Sequence, residues 1–392
     1  MPGFARSMGR LGTETAFEVL ARAKELERQG RDIVHLEIGE PDFDTPANII
    51  EAAKRALDEG YTHYGPSAGL PQLREAVAAH IAADRNIPVT AANVVVTPGG
   101  KPIMFYGMLA ILDPGDEALY PNPGFPIYES VINYLGAVPV PLVMRQENEF
   151  RLDLNEIKDK LSDKTRLLIL NSPQNPTGGV LPAEDLKAIA EILTDYPKVW
   201  VLADEIYSKL VYDGEHASIT AYEGMLERTV ILDGFSKTYA MTGWRLGYGV
   251  MPVSLAEHVA RLETNCNSCP PAMIQMAGVE ALTGPQDEPA RMREAFRERR
   301  DHLVRGLNAI EGIDCLLPGG AFYVFPSIRG LGMPAREVAT RLLDEGGVAA
   351  LSGTAFGVHG DGHLRFSYAN SIENLDKALE RLAEFVPALI RG

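Results

Sequence analysis

Cysteine is scarce in this chain: 392 residues carry three, Cys266, Cys269 and Cys315. So low and odd a count argues against a disulfide framework and suits a reducing compartment. Cys266 and Cys269 have the CxxC spacing. No second ligand pair for zinc and no thioredoxin-type βαβ setting accompany them, so they read as buried or incidental thiols. Basic residues are also short, with 37 Lys and Arg against 53 Asp and Glu and a formal net charge of −16. A chain of that sign disfavours nucleic-acid backbones and anionic membrane surfaces, and neither is expected as a partner. Long apolar runs are missing too. The clearest, residues 103–112, is half of the roughly 20 residues that a membrane-spanning helix needs. No apolar stretch follows the basic first ten residues, so no secretory signal is expected and the reading is cytoplasmic. The eight histidines form no metal-ligand pattern, since glycines interrupt the one i, i+4 pair, His359 and His363; no metal is expected.

What is present is ordinary globular composition, 46% hydrophobic and 23% charged, which excludes a disordered or fibrous chain. Helical spacing runs through 15–30 (Phe17, Leu20, Ala21, Ala23, Leu26), 46–60 and 70–83. Short β-branched or apolar runs follow at 94–97, 118–121, 138–143, 166–170, 199–203, 230–232 and 247–250, with helical patterns such as 182–193 between many of them. Strands alternating with helices imply parallel strands, right-handed crossovers and helices on both faces. The expected fold is therefore α/β: a large three-layer domain with a mostly parallel seven-stranded sheet, plus a smaller α+β domain. In the smaller part, a charged helix at 289–310 and strand-like 321–325 precede a helix at 335–345. Strand-like 364–368 and a helix at 372–385 complete it. The expected division is 45–285 for the large domain and 1–44 with 286–392 for the small one.

Ligands of open parallel sheets sit beyond the carboxyl ends of the strands, so chemistry is sought there. After 94–97 come Pro98, Gly99, Gly100 and Lys101, glycines that let backbone N–H groups approach an anion at a helix start. A Walker loop is excluded, because Val95 stands where its first glycine belongs. After 166–170 comes a turn cluster with Asn175, whose amide can donate to an oxygen of a bound ring. After 199–203 come Asp204 and Tyr207. A carboxylate closing an apolar strand is costly to bury unless a cation or donor meets it. After 230–232 come Gly234, Ser236 and Lys237, a desolvated amine suited to condensation with an aldehyde. Arg245 follows eight residues later with a planar fork that matches phosphate.

In conjunction these stretches resemble the fold-type I, pyridoxal-phosphate-dependent aminotransferases of class I/II, aspartate aminotransferase among them. The matching stretches are HLEIGEPDFDTP (35–46), YGPSAGLPQLR (64–74), NPTG (175–178), DEIY (204–207), SKTYAMTGWR (236–245) and LRFSY (364–368). The resemblance implies pyridoxal 5′-phosphate (PLP) bound covalently by Lys237, which also moves the substrate Cα proton. It implies Asp204 on the ring nitrogen, and Tyr207 and Asn175 on the ring's phenolic oxygen. Phe125 is matched to the ring face, and Arg245, Ser236 and the amides around Gly100 and Lys101 to the phosphate. It assigns Tyr64 to the phosphate of a partner subunit, hence a homodimer. Arg365 and Gly39 would hold the substrate's α-carboxylate end. Lys101 matches a lysine that, in some relatives, meets the distal carboxylate of aspartate or glutamate.

Two positions depart from the pattern. Many relatives carry Ser where this chain has Gly234, and many aspartate-specific ones carry Trp where it has Phe125. The implied activity is transamination of an L-amino acid of the aspartate/glutamate type with a 2-oxo acid such as 2-oxoglutarate, by a ping-pong scheme. Transamination of aromatic or aliphatic amino acids and β-elimination on the same scaffold are the alternatives. A regulator's effector domain would want a DNA-binding helix-turn-helix, and the charge opposes it. A nucleotide-binding enzyme would want a phosphate loop that is not there.

Overall fold

The computed structural model describes residues 3–391. Twelve strands occur among them. Seven make one large sheet: β2 (Val94–Thr97), β3 (Glu117–Asn122), β4 (Val138–Val143), β5 (Thr165–Asn171), β6 (Trp200–Asp204), β7 (Thr229–Gly234) and β8 (Gly247–Val250). Their order is β2-β8-β7-β6-β5-β3-β4, and β8 alone runs antiparallel to its neighbours. The seven expected strands are all present: three keep the expected bounds, three are extended at both ends, and one is shifted by a residue to 200–204. Asn171 and Asp204, left outside the expected runs, are the last rungs of β5 and β6 and lie opposite each other.

The near-continuous apolar strands follow from burial on both faces. Leu167 and Ile169 of β5 pack with Met104, Tyr120 and Leu202 on one side. The alternate residues Leu168 and Leu170 pack with Leu186, Ile189 and Val201 on the other. Both layers are closed by helices, among them Lys101–Ile111 and Val253–Cys266 on the first side and Ala183–Leu193 on the second. Each fully buried aliphatic side chain here contributes about 1.5–3 kcal/mol by removal from water.

The remaining strands are short. β1 (Val34–His35) pairs parallel with β10 (Val348–Ala349). β12 (Leu364–Ser367) lies antiparallel between β11 (Leu351–Ser352) and β9 (Tyr323–Val324). The charged helix Asp287–Asn308 buries the expected stripe Met292, Phe296, Leu303 and Leu307. The helix Ala16–Arg28 packs Ala23 and Leu26 against Ile33, Leu343 and Ala349, bringing both ends of the chain together. The last helix runs past the expected 385 to Arg391 with Pro387 inside it, because Val386 and Leu389 continue its buried stripe. Of the cysteines, Cys315 is buried and Cys269 partly so, whereas Cys266 ends its helix exposed; all three are free thiols. No helix among the described residues is long and apolar enough to cross a membrane.

Beneath the strand ends lies an ion cluster that sequence spacing does not reveal. Arg85 donates from Nε to Glu205 Oε2 at 2.8 Å and from Nη2 to Asp233 Oδ2 at 3.4 Å. Ser218 donates to Glu205 (2.6 Å) and Ser208 to Asp233 (3.1 Å). All three charged groups are buried. Burial works to raise both acids. Arg85 and His216 overturn this at Glu205, which falls to about 2, while Asp233 stays raised at about 6. Replacing Arg85 by Met takes the shared guanidinium from two buried acids and leaves only His216 beside Glu205. The expected cost is about 3–5 kcal/mol of stability, read as a lowered denaturant midpoint at unchanged slope. A change under about 1 kcal/mol would contradict this assignment.

Candidate active site

The carboxyl ends of β5, β6 and β7, the start of the helix Lys101–Ile111 and residues of β9 and β12 surround one cavity of about 820 Å³. Its wall includes Gly39, Gly100, Lys101, Phe125, Asn175, Asp204, Tyr207, Ser236, Lys237, Arg245 and Arg365. Eleven of the twelve residues singled out in the sequence thus meet in one place, although 326 positions separate the first from the last. The twelfth, Tyr64, is 90% exposed and outside this wall.

Lys237 follows β7 on a turn. Its Nζ donates to the Gly39 carbonyl at 2.6 Å and lies 5.7 Å from the centre of the Phe322 ring and 5.9 Å from that of Tyr207. Burial, aided by Arg365, Arg245 and Lys101 and opposed by Glu40, lowers its pKa to about 8. The amine is therefore neutral in an appreciable fraction near pH 7–8, the form that attacks a carbonyl carbon or accepts a proton.

Asp204 closes β6 almost fully buried. It accepts a hydrogen bond from Tyr128 Oη (2.6 Å) and a longer one from the Ile206 amide (3.3 Å). Burial raises its pKa to about 6 against these two bonds. No cation among the described residues forms an ion pair with it, so its charge is only partly offset. A protonated ring nitrogen brought beside it would complete the site. Tyr128 was not singled out in the sequence; it lies three residues after Phe125, in the first turn of the helix Ile127–Leu135. The two rings meet edge to face, 5.7 Å between centres.

Arg365, in β12, is buried against two aromatic faces, its Cζ 4.5 Å from the centre of Tyr323 and 4.9 Å from that of Phe356. It donates to Asn175 Oδ1 at 3.1 Å and to the carbonyl of Glu37. Its Nε–H, also buried, has no partner. A buried cation with an unfilled donor is a ready seat for a carboxylate. Asn175 spends its carbonyl oxygen on Arg365, which leaves its amide N–H₂ free to donate. Tyr207 shares a hydrogen bond of 2.8 Å with Tyr323 Oη. Tyr323 also explains Gly39, because a Cβ there would overlap its hydroxyl.

The glycine loop has a steric reason. Gly99 has φ +89°, and a Cβ on it would strike the Arg245 guanidinium. A Cβ on Gly247 would run into the backbone of Gly99 and Gly100. The bare backbone lets Arg245 lie against the start of the helix Lys101–Ile111, where free N–H groups and a guanidinium converge. The departure at Gly234 is also intelligible. A Cβ there would sit 3.0 Å from Gly247 Cα and 3.3 Å from Ile206 Cδ1, so a serine would crowd this tightly paired edge. Ser236, two residues on, lines the cavity.

The cavity therefore offers an amine with lowered pKa, a buried carboxylate lacking a cation, an anion cradle of glycines and Arg245, and an arginine with an open donor. That set suits a phosphorylated aldehyde with a basic ring and a substrate carboxylate. The description "aminotransferase class I and II" belongs to the family model that matches residues 31–382. The chain is 41% identical over 356 residues to the aspartate aminotransferase of Pyrococcus abyssi, covering 90% of this chain and 91% of that one. It is 40% identical over 354 residues to aromatic-amino-acid aminotransferase 2 of Thermococcus litoralis, covering 89% and 90%. Its fold superposes on the aspartate aminotransferase of Thermus thermophilus, solved with maleate, at a TM-score of 0.93. Identity there is 40%, with 98% of this chain and all of that one covered.

Proposed function

The chain belongs to the class I and II aminotransferases, and from that premise we propose which substrates it takes and which residues act. It moves the amino group of an acidic L-amino acid, aspartate or glutamate, to a 2-oxo acid such as 2-oxoglutarate, in two half-reactions at one cavity. The cofactor is pyridoxal 5′-phosphate. The observation that carries the reading is the convergence of Lys237, Asp204 and Arg365 on one cavity beside the glycine and Arg245 cradle.

The residues present fit that cofactor. The cradle that a Cβ at Gly99 or Gly247 would fill receives the phosphate, together with Arg245 and Ser236. Asp204, held by Tyr128 and short of a cation, takes the ring nitrogen. Phe125 covers a ring face, and the free amide of Asn175 and the hydroxyl of Tyr207 donate to the phenolic oxygen. Lys237 makes the covalent attachment. When bound, PLP supplies an electron sink for negative charge at the substrate Cα.

The chain's own side chains then divide the work. Arg365 seats the α-carboxylate on its open Nε and a terminal nitrogen, bidentate, and the Gly39 backbone lies alongside. That contact orients the substrate so that its Cα–H faces Lys237. Lys237 Nζ, released from the Gly39 carbonyl, withdraws the Cα proton and is charged only transiently, because burial and three neighbouring cations disfavour the ammonium form. Lys101 faces the distal carboxylate.

A homodimer completes the reading: Tyr64, exposed in a single chain, reaches the phosphate site of a second copy. The three unpaired cysteines suit a cytoplasmic setting. The division into 45–285 and the two chain ends is proposed on the packing of Ala23 and Leu26 with Leu343 and Ala349.

The test is a single half-reaction. Purified enzyme loaded with PLP is mixed with aspartate, glutamate, phenylalanine or leucine, with no 2-oxo acid present. Loss of the visible absorbance band with stoichiometric formation of the matching 2-oxo acid is expected, fastest with the acidic pair. Formation of pyruvate and ammonia from cysteine-like substrates, with no amino transfer, would replace this reading by β-elimination.

A further inference from the structure

The cavity holds a carboxylate that the proposed mechanism does not use. Glu14 lies just before the helix Ala16–Arg28, and its Oε1 is paired with Lys101 Nζ. Lys101 also stands over Phe125, its Nζ 5.5 Å from the ring centre. Both members of the pair line the cavity, Glu14 at 19% and Lys101 at 49% side-chain exposure. The same short segment adds an apolar wall: Ala16, Phe17 and Leu20 face the cavity, and Phe17 is 62% exposed, a large ring with little protein to cover it.

We propose that Glu14 is a specificity-determining residue: an internal counter-ion that occupies Lys101 in place of a substrate's side-chain carboxylate. The inference rests on the transamination reading. The cation Lys101 attracts dicarboxylic substrates, but here it is already neutralised by a chain carboxylate. A pair exposed this far exchanges readily, because solvent screens it. An acidic side chain therefore binds by displacing Glu14, whose carboxylate moves toward solvent. A neutral side chain binds with the Glu14–Lys101 pair left closed. It lies on Phe17, Leu20 and Phe125, and no bare ammonium group is covered by an apolar group. One cavity thus takes both substrate types, and Glu14 weakens the acidic one. Besides Lys101, Lys237, Arg245 and Arg365, the wall holds His35 and Lys24. His35 is held by Glu27 and Glu37, whereas Lys24 is a second cation that an acidic side chain could reach.

The test uses Glu14→Gln, Lys101→Met and the double variant as PLP-loaded enzyme. Succinate, a dicarboxylate that carries no amino group, is titrated by calorimetry. Aspartate and phenylalanine are followed through the half-reaction. In Glu14→Gln the succinate Kd is expected to fall about tenfold, and the aspartate-to-phenylalanine ratio of kcat/KM to rise by about tenfold or more, mainly through KM. In the Lys101→Met background the same Glu14→Gln change is expected to move neither quantity more than about twofold. An unmoved ratio in Glu14→Gln, or an equal rise with Lys101 absent, overturns the assignment. The second result would move it to Lys24 or to general charge. Wild type that binds succinate but transaminates nothing overturns the transamination reading beneath it. Wild type that transaminates with a ratio insensitive to Glu14 overturns Glu14 alone.

Discussion

Replacing Lys237 by Ala is expected to remove the visible absorbance band of the loaded enzyme and to lower the half-reaction rate by about four orders of magnitude. Two losses combine. The covalent attachment is gone, and no other base stands at the Gly39 carbonyl, where Nζ now lies. Tyr207 is bound to Tyr323, and Asp204 is turned toward Tyr128. Folding should survive, since the change removes a cation whose ammonium form burial disfavours. A thermal midpoint equal to or above wild type, with the band absent, separates a chemical role from a structural one. The lowered pKa adds a second reading. Capture of added PLP by wild-type apoenzyme should speed up as pH rises toward about 8 and level off above it, because only the neutral amine attacks. A Lys237→Ala enzyme that keeps both band and rate would sink the assignment.

Arg365→Leu is the second large effect. The expected loss in kcat/KM is about 100- to 1000-fold for every amino acid tested, acidic or neutral, because the lost contact is to the α-carboxylate they share. The Glu14 variants should instead separate the two classes. Arg365→Lys should recover less than about a tenth of the activity, since an ammonium restores charge but not the planar fork. Stability should not fall with activity. Arg365→Leu removes a buried cation with an unfilled Nε–H, a gain that offsets the loss of its bonds to Asn175 Oδ1 and the Glu37 carbonyl. A selective loss confined to aspartate and glutamate would instead place Arg365 at the distal carboxylate.

Much of the site was legible because each chemical residue follows a strand, and strand ends can be read from apolar runs. Asn175, Asp204 and Lys237 each lie within five residues of an expected run, and the glycines before Lys101 mark a helix start. Arg365 was legible only through resemblance. Its strand lies in the last thirty residues, and nothing local says that β12 meets the large sheet's ligand edge. The partners of these residues were not legible at all. Tyr128 under Asp204, Tyr323 against Gly39 and Arg85 between two buried acids are contacts across 76, 284, 120 and 148 positions. Side chains so far apart meet only through packing, and no periodicity encodes that meeting.

Scarce cysteine was a sequence fact from the start, and so were an acidic balance, no long apolar run and strands that alternate with helices. The alternation determines the layered architecture, because composition and period act locally and need no knowledge of neighbours. The state of each charge was decided only by the tertiary structure. A net charge of −16 says nothing of a pocket where burial and adjacent cations lower a lysine, where burial raises an aspartate, and where an arginine keeps an open donor. Nor does Lys101, read alone, reveal that Glu14 already holds it. Electrostatic energy depends on distance and desolvation, and both exist only once the chain has folded.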